Sequence, residues 1–223
     1  MKVMLAVEAS GPHTEVAVYD ERGQLLHEMA HRVAFQHSRV LPWMLESVLR
    51  AVDARWQDVA WVAWDQGPGY FTALRVSLAV LKALGVAHGT LVIPVDAERA
   101  FVAGMPLADG QRVAVGLDAQ KQELHVAILE AGDPPRVRFP MQRLPREEVE
   151  HLLEQQPVDV LVGSGMMRYF PDHPALWPEP LLQPSARGVG RLAFRLLMEG
   201  EVRQVHPQDL EPRYGRLPDA LVY

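Results

Sequence analysis

The chain has 223 residues, of which 48% are hydrophobic, and its formal net charge is -6. This length and composition suit one large domain or two small lobes with a packed core. The interspersed, moderate charge argues against a protein that grips a nucleic-acid backbone on its own, and the absence of cysteine excludes disulfides, thiolate chemistry and cysteine-based metal sites.

Three short apolar runs open the chain at residues 2–9, 14–20 and 23–29, and turn-forming residues separate them. Such runs are typical of strands joined by hairpins, so the sequence predicts a three-stranded antiparallel meander. No apolar run reaches about 18 residues and the chain enters a strand at once, so we expect neither a membrane span nor a signal peptide. A cytoplasmic location is the simplest fit.

An amphipathic helix is predicted at residues 38–52, with Pro42 in its first turn, where a missing N–H is tolerated. Residues 59–64 then predict a buried strand, residues 71–85 a second helix and residues 90–95 another strand. This order of three strands, helix, strand, helix and strand is similar to that of a ribonuclease-H-like lobe.

The stretch before the second helix contains Gly67, Pro68 and Gly69, which predict a sharp turn. The helix itself is apolar on two sides, so it is either buried within its own domain or shared with a second protein. The sequence pattern leaves both alternatives open. One side consists of Leu74, Leu78, Leu81 and Gly85, and the other of Ala73, Val76, Ser77, Val80, Ala83 and Leu84.

The second half repeats this plan in reduced form. Residues 163–187 are rich in proline and aromatic residues and predict irregular structure, and residues 189–198 predict a closing helix. With a boundary near residues 104–110, we expect two lobes, 1–105 and 106–223, in an α/β fold of two ribonuclease-H-like (actin-like) lobes that have mixed β-sheets and flanking helices. The other predicted elements are strands at 112–117, 123–130, 137–141 and 158–162 and a helix at 146–155.

Residues 67–75 read Gly-Pro-Gly-Tyr-Phe-Thr-Ala-Leu-Arg and resemble the G-P-G-S-F-T-G-L-R signature of the TsaB (YeaZ) family, from which Tyr70 and Ala73 depart. Four further stretches are similar to the family, so the resemblance spans nearly the whole chain. They are the opening strand at 5–10, the helix start at 37–42, the turn at 117–124, where Gln120 and Gln122 depart, and the tail at 211–216, where Gly215 departs.

The resemblance implies a non-catalytic subunit that heterodimerises with a TsaD-type homologue, which transfers threonylcarbamoyl to the adenosine beside the anticodon of tRNA. It also implies a TsaE-type ATPase in the assembly and tRNA contact only through the complex. An apolar surface that is left uncovered when the partner is absent would also favour self-association, so we expect a homodimer in that case. We expect the two helices of the first half to form an apolar seam with the partner. The predicted seam residues are Leu41, Leu45, Val48, Phe71, Ala73, Val76, Ser77, Val80, Ala83 and Leu84.

The alternative is an ATP-dependent, kinase-like enzyme of the actin-like superfamily, in which acidic residues at strand ends hold magnesium and nucleotide. The matching positions are Glu8, with Ser10 after it, and Asp118, while Ser164 lies in a Gly-Ser-Gly stretch where superfamily members contact adenosine. Glu8 has a longer side chain than the expected aspartate, and Pro12 interrupts the N–H groups of the following turn. We therefore expect turn-capping roles for these residues and no cofactor in this chain, with ATP and magnesium kept as the alternative.

His27 and His31 have the spacing of the H-x-x-x-H motif found on a helix of the catalytic homologue, but they fall in a segment that alternates like a strand. Two ligands four residues apart meet one metal only when they share a helical face. We therefore expect no metal site, and with it neither the transfer reaction nor protease chemistry in this subunit.

Overall fold

The computed structural model describes residues 1–32, 36–178, 181–202 and 204–214. The chain forms a five-stranded and a four-stranded β-sheet with helices packed against them, which confirms the predicted mixed α/β architecture. In chain order the helices are α1 (His37–Ala51), α2 (Phe71–His88), α3 (Ala97–Gly104), α4 (Arg146–Gln155), α5 (Ser164–Tyr169) and α6 (Ala186–Glu199).

Five strands form the first sheet: β1 (Val3–Glu8), β2 (His13–Asp20), β3 (Leu25–Arg32), β4 (Val59–Asp65) and β5 (Leu91–Val95). Their order is β3-β2-β1-β4-β5. The first three strands pair antiparallel, as the turn residues between them predict, and β4 and β5 extend the sheet in parallel. Every residue of β1 is buried because helices cover both faces of the sheet.

The alternation of side chains along β1 divides the first lobe into two cores. Leu5 and Val7 point to the face covered by α1 and α2. Met4 and Ala6 point to the opposite face, which α3 and α6 cover. The closing helix of the chain therefore packs against the sheet that opens it.

Four strands form the second sheet: β6 (Arg112–Asp118), β7 (Glu123–Glu130), β8 (Arg136–Pro145) and β9 (Val160–Val162). Their order is β8-β7-β6-β9, with β6 antiparallel to β7 and parallel to β9. Helices α4 and α5 cover one face, through residues such as Val149 and Met166. Phe101 and Val102 of α3 cover the other, so α3 contacts both sheets.

The predicted elements are confirmed in order, and the bounds of β7 and α4 agree with the prediction. Two helices were missed: α3, which follows β5 almost directly, and α5, which lies in the tract predicted to be irregular. The division into lobes at residue 105 stays a prediction. The family-like tail runs on to residues 215 and 216, which lie outside the described residues.

The glycine-proline turn joins β4 to α2 and seats the helix on the neighbouring β1–β2 turn. Gly67 has a φ of 102°, in the left-handed region that favours glycine, and its N–H donates to Asp65 Oδ1 at 2.8 Å. At Gly69, an added Cβ would lie 2.5 Å from Ser10 O. The next residue, Tyr70, donates its N–H to that same oxygen at 2.6 Å. The start of α2 is therefore fixed against the end of β1.

Candidate functional site

A cleft of about 780 Å³ lies where the carboxyl ends of the two sheets face each other. The first sheet contributes the β1–β2 turn and the start of α2, and the second contributes the end of β6 and the start of α5. Its lining includes Ser10, His37, Tyr70, Phe71, Asp118, His125, Ser164, Arg168 and Gln183.

The structure places Glu8 beneath the floor of this cleft, and the residue is fully buried. Its Oε1 accepts hydrogen bonds from Ser10 N and Ser10 Oγ, both at 2.6 Å, and from Gln183 Nε2 at 3.3 Å. Burial raises the pKa of Glu8 well above its ordinary value of 4.5, and the neighbouring charge of Asp65 raises it further. Glu8 therefore caps the β1–β2 turn and is not free to reach a ligand.

Asp65, at the end of β4, is the unpredicted neighbour of Glu8 and is also buried. Among the described residues, neither Glu8 Oε2 nor Asp65 Oδ2 receives an N–H or O–H donor. Two buried carboxyls in contact cannot both be ionised without a large electrostatic cost. A proton held between them satisfies both oxygens, and it agrees with the raised pKa of each group, which burial causes first of all.

A third buried acid, Glu98, lies in the first turn of α3, and its Oε2 likewise lacks a donor among the described residues. Burial raises the pKa of Glu98 to about 7, and the charge of Asp96 adds to the rise. Arg213, from the C-terminal segment, opposes this rise and pairs with both Asp96 and Glu98.

Asp118 lies at the corresponding end of β6 in the second sheet. Its Oδ2 accepts a 2.7 Å hydrogen bond from Arg168 Nη1, and its Oδ1 accepts from Gln120 N at 2.8 Å and from Tyr169 Oη at 3.1 Å. Ser164 Oγ accepts the N–H of Asp118 at 3.1 Å. Both carboxylate oxygens of Asp118 are therefore hydrogen-bonded within the chain, Oδ1 in the turn and Oδ2 in the ion pair with Arg168.

These residues do not fit magnesium-ATP, the ligand that the actin-like fold implies. A magnesium ligand at the end of β1 has to be an ionised carboxylate that reaches the cleft, whereas Glu8 is buried, its pKa is raised by that burial, and it is bonded to Ser10. Asp118 and Arg168 form an ion pair, so the charge of Arg168 is already balanced at the end of β6.

His27 and His31 both lie on β3, as the alternation predicted, and His31 meets the ring of Trp43 edge-on at 6.5 Å. Within the described residues, no group of three or more His, Asp or Glu side chains is arranged to hold a metal ion. His37 is buried, and its Nδ1 lies 2.8 Å from Thr14 Oγ1.

The predicted seam between α1 and α2 needs a correction at half of its positions. Leu41, Leu45 and Val48 of α1 point into the core beneath them. Ala73 and Ser77 of α2 are also buried, Ala73 in the lining of the cleft. Ser77 Oγ accepts the indole N–H of Trp64 at 3.0 Å, which explains a hydroxyl on this inner face. These five residues are buried within the chain and so present no exposed side chain to a partner.

The other five seam positions lie on the accessible side of α2. Phe71, Val76, Val80 and Leu84 are half-buried, and Ala83 is exposed. The other apolar side of the helix, formed by Leu74, Leu78, Leu81 and Gly85, is buried within the chain. An exposed small-residue and aliphatic stripe therefore remains on α2.

The sequence reasoning missed three exposed large apolar side chains, two at the ends of α2 and one on α1. Val86 is 75% exposed at the far end of α2, Tyr70 is 53% exposed at its start, and Trp43 is 57% exposed on α1. By length and composition alone, α2 is apolar enough to cross a membrane, although 33% of it is buried in the chain. Trp43 was detectable as the apolar residue of α1 that stands outside its inward-facing set.

The tRNA N6-adenosine threonylcarbamoyltransferase (TsaD) family model matches residues 28–133. Among curated proteins, the TsaB protein of Buchnera aphidicola subsp. Schizaphis graminum, named for tRNA threonylcarbamoyladenosine biosynthesis, is 30% identical over 94 residues. A Burkholderia pseudomallei tRNA N6-adenosine threonylcarbamoyltransferase is 35% identical over 101 residues. The alignments cover 42% and 38% of this chain, and 42% and 29% of those two proteins.

Solved structures match over more of the chain. A Pseudomonas aeruginosa protein described as similar to the peptidase YeaZ superposes with a TM-score of 0.82, at 24% identity, over 97% of this chain and 100% of its own. A second structure, YeaZ from Pseudomonas aeruginosa, gives a TM-score of 0.79 at 24% identity, over 96% of this chain and 100% of its own. At this identity, the two structures establish the shared fold.

Proposed function

We propose, on the premise that this chain is similar to the TsaB (YeaZ) family in its motifs, its relatives and its fold, that it is the non-catalytic partner subunit of a TsaD-type threonylcarbamoyltransferase. Its role would be in the biosynthesis of threonylcarbamoyladenosine in tRNA, beside the anticodon. Relatives named for that pathway support this role.

The observation that carries the proposal is the uncovered apolar side of α2. Ala79 and Ala83 leave a shallow strip that a second helix can approach closely, and Val86 extends the strip. Apolar surface of this extent on a helix that is otherwise packed into a lobe is a mark of a protein interface. We propose that the partner docks a helix here, and that a second copy of the chain takes its place when the partner is absent.

The cleft supports the non-catalytic part of the proposal. Glu8 and Asp118, the two carboxylates that an ATP-dependent enzyme would use, are held by internal hydrogen bonds. The formal charge of -6 supports tRNA contact through the complex rather than by this chain alone. A TsaE-type ATPase as a further member and a cytoplasmic location follow from the same proposal.

The test substitutes arginine at the two sides of α2. Ala83→Arg places a charge in the proposed seam, and we expect a folded protein that loses the heterodimer and tRNA modification, because burying an unpaired charge at an interface is costly. Ala73→Arg affects a position that is 2% exposed and should unfold the lobe instead. Gln155→Arg, on the exposed side of α4, adds the same charge far from α2 and is the matched control.

Circular dichroism, co-purification with the TsaD homologue and modification of tRNA are measured together on each variant. Full complex formation by a folded Ala83→Arg protein would rule out this side of α2 as the docking surface. Hydrolysis of ATP by the purified chain alone would favour the kinase-like alternative.

A further inference from the structure

A single side chain from the C-terminal half, Gln183, closes the end of the cleft at the β1–β2 turn. Gln183 precedes α6 and is 170 residues away from His13 in sequence, yet the two are joined in both directions. His13 N–H donates to Gln183 Oε1 at 2.8 Å, and Gln183 Nε2 donates to His13 O at 3.2 Å. The carboxamide therefore bonds to the start of β2 much as another strand would.

The same Nε2 donates to Glu8 Oε1 at 3.3 Å, so Gln183 also contacts the buried carboxyl at the end of β1. Gln183 is only 7% exposed. Every polar atom of the carboxamide is thus used inside the protein, and none is left for a ligand in the cleft.

The space above the turn is filled as well. An added Cβ at Gly11 would lie 2.9 Å from Gln183 Cβ and 3.0 Å from Gln183 Cδ, so the glutamine side chain lies directly on the glycine backbone. A ligand group has no room between the turn and this side chain. Pro12, the next residue, has no N–H to offer.

We propose that Gln183 is a built-in occupant of the β1–β2 turn: it takes the polar contacts that a metal-bound phosphate would need there, and it ties the C-terminal half of the chain to the first sheet. The cleft keeps its volume on the side of Tyr70 and Arg168 but has no phosphate position at its floor. This inference does not depend on the partner or on tRNA, and it is tested on the chain alone.

Three variants separate the two parts of this role. Gln183→Met keeps most of the side-chain volume above Gly11 but loses the three hydrogen bonds. Gln183→Ala loses the volume as well as the hydrogen bonds. Gln156→Ala is the matched control, because Gln156 is a half-buried glutamine at the end of α4 that accepts a bond from Arg112. The probes are hydrogen exchange of the His13 amide and paramagnetic broadening of the Ser10 and His13 amide signals by manganese-ATP at millimolar concentration.

We expect His13 exchange to accelerate by about tenfold or more in both Gln183 variants, because their common change removes the acceptor of this N–H. Exchange should be unchanged in Gln156→Ala. Manganese-ATP should broaden Ser10 and His13 in Gln183→Ala but in neither the wild type nor Gln183→Met.

Unchanged exchange of the His13 amide in a folded Gln183 variant would contradict the proposal that Gln183 ties the C-terminal half of the chain to the first sheet. Equal broadening in the wild type and in Gln183→Ala, or none in either, would overturn the role of Gln183 in excluding phosphate. If Gln183→Ala does not fold, Gln183→Met still tests whether Gln183 joins the C-terminal half to the first sheet. Broadening of the Ser10 and His13 signals of the wild type by manganese-ATP would still contradict the exclusion of phosphate from the turn.

Discussion

The ends of β1 and β6 occupy equivalent places in two sheets of similar topology, yet the carboxylates there behave differently. Glu8, at the end of β1, is buried beneath a turn beside Asp65, and burial raises the pKa of both carboxyls. Asp118, at the end of β6, faces the cleft and pairs with Arg168, whose side chain is 61% exposed. One end of the cleft is therefore a buried pair of carboxyls with raised pKa values, and the other is a solvated ion pair.

This difference shows that position in a fold does not assign chemistry to a carboxylate. Helices cover both faces of β1, and the side chain of Gln183 covers its end, so water is excluded and the neutral form of the acid is favoured. The end of β6 is open to solvent, and there Asp118 forms an ion pair with Arg168.

The largest effect that separates the two ends should be on stability. Glu8→Ala removes the acceptor of three hydrogen bonds and leaves the hydroxyl of Ser10 buried without its partner, so we expect a loss of about 4 kcal/mol in the free energy of unfolding. Asp118→Ala breaks a solvated pair and should cost less than about 1 kcal/mol. Urea unfolding followed by circular dichroism measures both, and similar losses would contradict the comparison.

The second prediction concerns pH. Glu98 lies at the same end of the first sheet, and because its pKa is raised to about 7 from an ordinary 4.5, the folded state holds a proton that the unfolded state releases. This contribution is fully present below pH 4.5 and is lost as the pH rises to 7, by about 3 kcal/mol. The raised pKa values of Glu8 and Asp65 act in the same direction.

Glu98→Gln tests this, because the amide stays neutral at every pH and should flatten the fall in unfolding free energy over that range. Glu199→Gln, which changes an exposed acid of α6, is the control and should keep the slope of the wild type. A Glu98→Gln protein with the same slope as the wild type would show that Glu98 is ionised in the fold.

The smallest effect should be on tRNA modification. Glu8→Gln retains an oxygen for Ser10 and an N–H for Asp65, and Asp118→Asn retains most of the turn around Gln120. Because neither carboxylate is proposed to touch a substrate, both variants should support modification in the reconstituted complex to within a few-fold of the wild type. Loss of modification with the complex intact would contradict the non-catalytic proposal.

Much of the fold could be predicted from local pattern. Alternation and turn residues are properties of neighbouring positions, and they located the strands of both sheets and the glycine-proline turn at 67–69. Helix α5 was missed because its six residues are too few to establish a helical period, and α3, with eight residues directly after a strand, is nearly as short.

The candidate site was predicted only in part, because burial depends on which elements meet. The sequence named Glu8 and Asp118 as equivalent strand-end acids, but it contained no sign that Asp65 would lie buried beside Glu8. For α1, the amphipathic pattern identified Leu41 correctly as apolar, yet an apolar side packs equally well on a sheet or on a partner.

The sequence by itself determined the order of the elements, the sharp entry into α2 and the likeness to the TsaB (YeaZ) family, because each of these is encoded in short contiguous stretches. Only the tertiary structure decided which side of α2 is left uncovered, and that Gln183 closes the turn after Glu8 from 175 residues away. Contacts at that separation depend on the packing of α6 against the first sheet, which no local pattern specifies.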